Sequence, residues 1–222
     1  MLNNELLVPT EIIRSKRKSI SLIIKNNGDF IVRAPIKSKD EDLYKFINEK
    51  ANWIIKKREE QLNNKIAPLT FNQDEKISIL GKVYYISYYN ISRVKLTENE
   101  LVLPKEKSKE KLISFLKNTA KKYLAERVGL ISELFGFTFS SISISSAKTC
   151  WGSCGYNNKL HFTYKLMMCP QDVVDYVVLH ELCHTKVKNH SKKFWQLVKD
   201  CNPYYQIHER WLKKNRGIIE LI

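Results

Sequence analysis

His180-Glu181-Leu182-Cys183-His184-Thr185-Lys186-Val187-Lys188-Asn189-His190 is the stretch on which the reading of this chain turns. It contains His-Glu-x-x-His and, six residues on, a third histidine. Two imidazoles one helical turn apart share a helix face about 6 Å apart and can close on one metal ion. Glu181 is rotated about 100° from His180, so it can reach a water on that ion without displacing a ligand. These are the parts needed for metal-assisted hydrolysis.

The preceding run, Val173-Val174-Asp175-Tyr176-Val177-Val178-Leu179, is strongly apolar. A helix here is therefore a core helix, and imidazoles on it need partners such as a metal or protein hydrogen bonds. A helix continued from His184 to His190 would turn the last ring about 240° off the ligand face. The helix must break first. Asn189 tolerates a left-handed conformation, and Ser191 suits the N-cap of a following helix. His190 then faces back toward the ion. His208 and His161 are competitors without a spacing that predicts convergence. Three imidazoles with one open position suit Zn2+, which acidifies water and polarises a carbonyl while Glu181 carries the proton. Cys183 lies off the ligand face and is read as a packing residue.

Working outward, Pro170 opens the metal-binding helix, and a helix over Ser191 to Cys201 is followed by another ending near Arg216. A long helix is expected from about Lys107 to Phe135, closed by Gly136. Strands are expected at Ser140–Ser145 and Lys159–Met167. Between them, Lys148-Thr149-Cys150-Trp151-Gly152-Ser153-Cys154 carries two cysteines without a second pair to complete a zinc ribbon. Cys169 could join them in a second metal site. The alternative is structural, with Trp151 packed on the metal-binding helix and Gly152 admitting a close backbone approach. An extended segment there would also suit a peptide substrate added as a strand.

The first hundred residues read mostly as strands. Ser19–Ile23 and Asp29–Val32 flank the hairpin signal Asn27-Gly28, and Pro35 ends the second. Ser38-Lys39-Asp40-Glu41 predicts a capping box for a helix running to about Leu62. Strand-like segments follow at Lys76–Leu80, Lys82–Tyr89 and Val94–Leu103. Pro104 and the charged stretch Lys105–Lys111 place a boundary there. This gives a β-rich N-terminal subdomain with a helix (1–105) and a zincin-like helical domain with a small sheet (106–222), an α+β protein.

Charge and composition set the remaining limits. Thirty-eight Lys and Arg against 23 Asp and Glu give a net charge of +15, which attracts polyanions. The basic residues are dispersed, so nucleic acid is a second partner class beside a peptide or protein substrate. No apolar run reaches eighteen residues, so no membrane partner is expected. Five cysteines are an odd number, and reduced thiols point to a cytoplasmic protein.

His-Glu-Leu-Cys-His, Asn189-His190-Ser191, Phe194-Trp195, Asp175-Tyr176-Val177-Val178 and Trp151-Gly152-Ser153-Cys154 together resemble the YgjP-like metallopeptidase family. That family is similar to the SprT-like and WLM peptidases. Ser15-Lys16-Arg17-Lys18-Ser19 and Trp53-Ile54 extend the resemblance over nearly the whole chain. It implies a zinc-dependent hydrolase, most plainly a peptidase, with zinc ligands at His180, His184 and His190 and Glu181 as the catalytic carboxylate. Similarity to SprT-like enzymes leaves open a protease acting on DNA-bound proteins, and a non-catalytic zinc-stabilised binding module is the third alternative. Cys150 stands where the family usually carries a basic residue. Val187 occupies the metzincin glycine position and no methionine follows the site, which argues against a metzincin.

Overall fold

The computed structural model describes residues 7–25, 27–63 and 66–222, and the chain divides into two compact units, Met1–Lys65 and Ile66–Ile222. The boundary expected at 105/106 falls inside the second unit. The reason is packing: the strands before Pro104 bury Ile77, Ile79, Ile86, Leu101 and Leu103 in one core with the helices that follow. The architecture is α+β. Among the described residues no helix is long and apolar enough to cross a membrane.

In the first unit, β1 (Glu11–Ser15), β2 (Ser21–Ile24) and β3 (Phe30–Pro35) form a sheet in the order β1-β3-β2. The hairpin between β2 and β3 turns at Gly28, where φ is +86°. β1, unforeseen from the sequence, pairs parallel to β3. Two helices, α1 (Asp40–Glu49) and α2 (Ala51–Asn63), replace the single helix expected, with Lys50 between them. The capping box does not form. The Ser38 hydroxyl donates instead to the Pro35 carbonyl at 2.7 Å, and Arg14 bonds both Ser38 and Asp40. Phe30, Val32, Leu43, Ile47 and Ile54 make this unit's core.

The second unit carries a four-stranded sheet, β4 (Lys76–Ile79), β5 (Lys82–Tyr89), β6 (Lys95–Leu96) and β7 (Glu100–Pro104), ordered β4-β5-β7-β6. The span Val94–Leu103 is therefore a hairpin rather than one strand: the Thr97 amide donates to Glu100, reversing the chain between β6 and β7. α3 (Ser108–Phe135) runs as expected, buries Leu112, Leu116, Ala120, Leu124 and Val128 on one stripe, and ends at Gly136 with φ +62°. The Gly136 and Phe137 amides both donate to the Ser132 carbonyl, satisfying one of the helix's last acceptors.

A second sheet is built from β8 (Ser141–Ser145), β9 (Gly152–Cys154) and β10 (Lys159–Thr163), ordered β8-β10-β9. The expected strand Lys159–Met167 stops at Thr163 and becomes a fully buried 3-10 turn, Tyr164–Met168. An apolar run of this length buries equally well as strand or turn, so periodicity could not separate them. Lys165 sits in this turn at 2% exposure and donates its amine to the Ile219 carbonyl. α4 (Gln171–Lys186), α5 (Lys192–Cys201), α6 (Tyr205–Lys214) and a 3-10 turn, Arg216–Glu220, complete the unit. Arg127 of α3 holds Asp175 of α4 in a two-pronged ion pair at 2.7 and 2.8 Å.

Candidate metal centre

α4 buries Val173, Val174, Val177, Val178 and Leu179, so its remaining face is fixed in direction before the histidines are reached. His180 and His184 stand one turn apart with ring centroids 5.0 Å apart. The helix then ends sooner than expected. Val187 is extended, at φ −134° and ψ 105°, while Asn189 has no left-handed backbone and accepts the Ser191 amide at 3.2 Å through its side chain. The turn works through Val187 because its β-branched side chain favours extended backbone.

This corner brings His190 back. Its Nε2 lies 3.1 Å from Nε2 of His180 and 3.2 Å from Nε2 of His184, and ligand atoms of all three fall within 4.8 Å of one another. Tetrahedral zinc bound by imidazole at about 2.0–2.1 Å sets its nitrogens about 3.3 Å apart, so the spacing fits such an ion. The chemistry of the donors fits as well. Nδ1 of His184 donates to the Val187 carbonyl at 3.0 Å, which leaves Nε2 as the lone-pair atom. Burial, reinforced by His184 and His190, pushes the His180 pKa down to about 3, so that ring is neutral. Three imidazoles aimed at one point suit a divalent cation.

Aromatic rings hold the imidazoles in place. Phe194 of α5 stacks on His184 at 4.3 Å and meets His180 and His190 edgewise at 4.9 Å each. Trp195 stacks on His190 at 5.6 Å, and Tyr205 stacks on Trp195 at 5.5 Å. α5 is thus the supporting wall of the cluster.

Glu181 is 6% exposed, and burial raises its pKa to about 8. Its side chain lies against Gly152 on β9. A Cβ added at Gly152 would lie 2.8 Å from Cγ and 3.0 Å from Oε1 of Glu181. Beside His180 and Glu181 opens a cleft of about 300 Å³, bounded by Trp151, α4 and the C-terminal segment.

The competing histidines are elsewhere. His208 stacks on Tyr176 at 5.8 Å and faces Asp172 at 3.6 Å; His161 bonds Ser143 at 2.6 Å. Cys150, Cys154 and Cys169 form no ligand group among the described residues. Cys183 is fully buried and packs in the core. Two cleft residues carry a sequence signal for their place: Tyr176 and Val177 lie four residues before His180 and Glu181, hence on their faces. Leu212, Arg216 and Ile219 carry none, because only tertiary packing brings them there.

Comparison with known proteins completes the site's description. Residues 18–215 match the family described as YgjP-like, metallopeptidase domain. No curated protein matches the chain. Among solved structures, it is similar to the metallopeptidase zymogen of Pyrococcus abyssi abylysin, at 17% identity and a TM-score of 0.38. That likeness covers 41% of this chain and 93% of the other. The metallopeptidase zymogen of Methanocaldococcus jannaschii jannalysin is similar at 24% identity and a TM-score of 0.35, over 45% and 97%. The chain belongs to the YgjP-like metallopeptidase family.

Proposed function

We propose that this YgjP-like metallopeptidase is an intracellular zinc-dependent hydrolase of peptide bonds, with His180, His184 and His190 as ligands and Glu181 as the general base. The observation that carries the reading is the meeting of three Nε2 atoms beside a buried carboxylate and an open cleft. The ligand set of three imidazoles favours zinc over oxygen-loving cations. When bound, such a cation supplies Lewis acidity, polarising a carbonyl and making water acidic enough to lose a proton near neutral pH.

The chain's own residues do the rest. Glu181 accepts the proton of the attacking water at its carboxylate and returns it to the leaving amine. Gly152, lacking a side chain, leaves the room this carboxylate occupies, which a Cβ would take from it. β9 is one of the two outer strands of its sheet among the described residues, and its backbone can pair with an extended substrate. Phe194 and Trp195 fix the imidazole planes so that the ligands need not reorganise. Five free thiols support the intracellular placement.

The test is Glu181→Gln. Zinc should remain near one per chain while peptide hydrolysis falls by about 10²- to 10⁴-fold. Undiminished turnover in metal-replete Glu181→Gln protein removes the assignment.

A further inference from the structure

The cleft beside the metal centre has walls that the hydrolytic chemistry does not require. Trp151, Val177 of α4, and Leu212 and Ile219 of the C-terminal segment supply its apolar lining. At about 300 Å³ it is at the small end of ligand sites, room for one large side chain rather than a folded segment.

Its far wall is fastened in place. Arg216 Nη2 donates to the Thr149 carbonyl at 3.5 Å, joining the C-terminal turn to the segment that carries Trp151. The Ile219 carbonyl is held by the buried Lys165 amine, and the Leu69 amide donates to the Leu221 carbonyl at 2.9 Å. Gly217 passes so close to Ile66 that a Cβ there would sit 3.0 Å from its amide nitrogen. A wall held by four such contacts is preformed, so a side chain entering the cleft need not order it.

The lining carries four charged groups: Glu209 pairs with Lys213 at 2.6 Å, Arg216 adds a positive charge outside that pair, and Glu181 lines the cleft next to His180. An apolar side chain gains from the walls, whereas a basic one meets Arg216 and must shed its hydration as well.

We propose that this cleft is the specificity pocket of the enzyme, accepting a bulky apolar side chain of a peptide next to the bond cleaved and rejecting a basic one. Val177 and Leu212 are its selecting residues and Arg216 its excluding one. The inference rests on the peptidase reading above and adds the class of substrate.

The experiment reads binding and cleavage separately. Fluorescein-labelled heptapeptides differing only at the central residue (Phe, Leu, Ala or Lys) are titrated into zinc-loaded Glu181→Gln protein by fluorescence polarisation. Wild-type protein is assayed for cleavage of the same four. The Phe and Leu peptides should bind about 10- to 100-fold more tightly than the Ala peptide, the ratio expected for burying a large apolar side chain. The Lys peptide should bind no better than Ala. Leu212→Trp fills the pocket and should bring the Phe-to-Ala ratio toward one. Arg216→Glu removes a positive charge of the lining together with one of the far wall's four contacts, and should improve Lys binding while the other three contacts keep the Phe preference. Equal affinity for all four, or no Phe-peptide binding by about 1 mM, overturns the pocket while Glu181-dependent cleavage by wild type would keep the peptidase reading. Phe-selective binding without any cleavage does the reverse.

Discussion

Replacing Gly152 with Ala tests the link between β9 and Glu181 at the level of single atoms. The backbone at Gly152 is extended strand paired with Phe162, and it has no positive φ, so alanine fits it without strain. The conflict is confined to one side chain. The new Cβ would stand 2.8 Å from Cγ of Glu181, and an ordinary contact begins near 3.4 Å, so the carboxylate must retreat by about 0.6 Å. Misplacement by 1 Å costs about 10²-fold in rate, so kcat/KM on a peptide should fall about 10- to 100-fold, or about 1.4–2.7 kcal/mol. Stability should fall by only about 1 kcal/mol, because the far end of a side chain yields more easily than backbone. The assay pairs steady-state hydrolysis with zinc content and urea unfolding, in wild-type and Glu181→Ala backgrounds. In the Glu181→Ala background the obstructing atoms are gone and the added methyl should be nearly neutral for stability. An equal stability loss in both backgrounds, or full activity in Gly152→Ala, would show that the glycine does not position the carboxylate.

Phe194→Ala removes a fully buried ring that touches all three imidazoles; about 3–5 kcal/mol of stability and about 10- to 100-fold in zinc affinity should be lost, read by chemical unfolding and competition with a chelator. Arg127→Ala breaks the ion pair between α3 and α4, but both side chains are about 30% exposed, so thermal unfolding should register only about 1 kcal/mol. Glu75 accepts the amides of Thr70 and Asn72 at about 3 Å; burial opposes its charge, yet those bonds win and lower its pKa. A depressed carboxylate stabilises the fold above its ordinary pKa of 4.5 and loses that effect as pH falls through the lower folded value. Glu75→Gln should therefore lower the stability read by urea unfolding at pH 7, by at most about 1 kcal/mol because solvent screens this largely exposed group, and the gap from wild type should close on acidification below pH 4.

The helix Gln171–Lys186 and the convergence of His180, His184 and His190 were legible because their spacing is set by helical geometry, and geometry of that kind is written locally. Gly136 closing α3 and Gly28 turning the first hairpin were legible for the same reason. Where a residue had two partners to choose from, the local reading failed. Ser38 was expected to cap a helix, but Arg14, 24 residues earlier, and the Pro35 carbonyl claim its hydroxyl. The single strand read over Lys159–Met167 ends at Thr163 in a turn whose Lys165 has its acceptor 54 residues away, a partner that local pattern does not show. β1 pairs parallel to β3, a contact no hairpin signal announces. The division of the chain was misjudged at Pro104 because composition marks a linker, whereas membership of a core is decided by what the strands pack against. The far wall of the cleft is of the same kind: Leu212 and Ile219 look like ordinary helix-face residues until the fold brings them into one cleft with Trp151.

Lys165 has a use beyond holding a carbonyl. Its amine is almost wholly out of water, and burial, followed by repulsion from Lys148, lowers its pKa. Acylating reagents will find the surface lysines in the resting molecule, but this one only during excursions that lift the Arg216–Glu220 turn. The lag between them is a clock for breathing motions in one corner of the protein, readable by mass spectrometry on a single modified peptide.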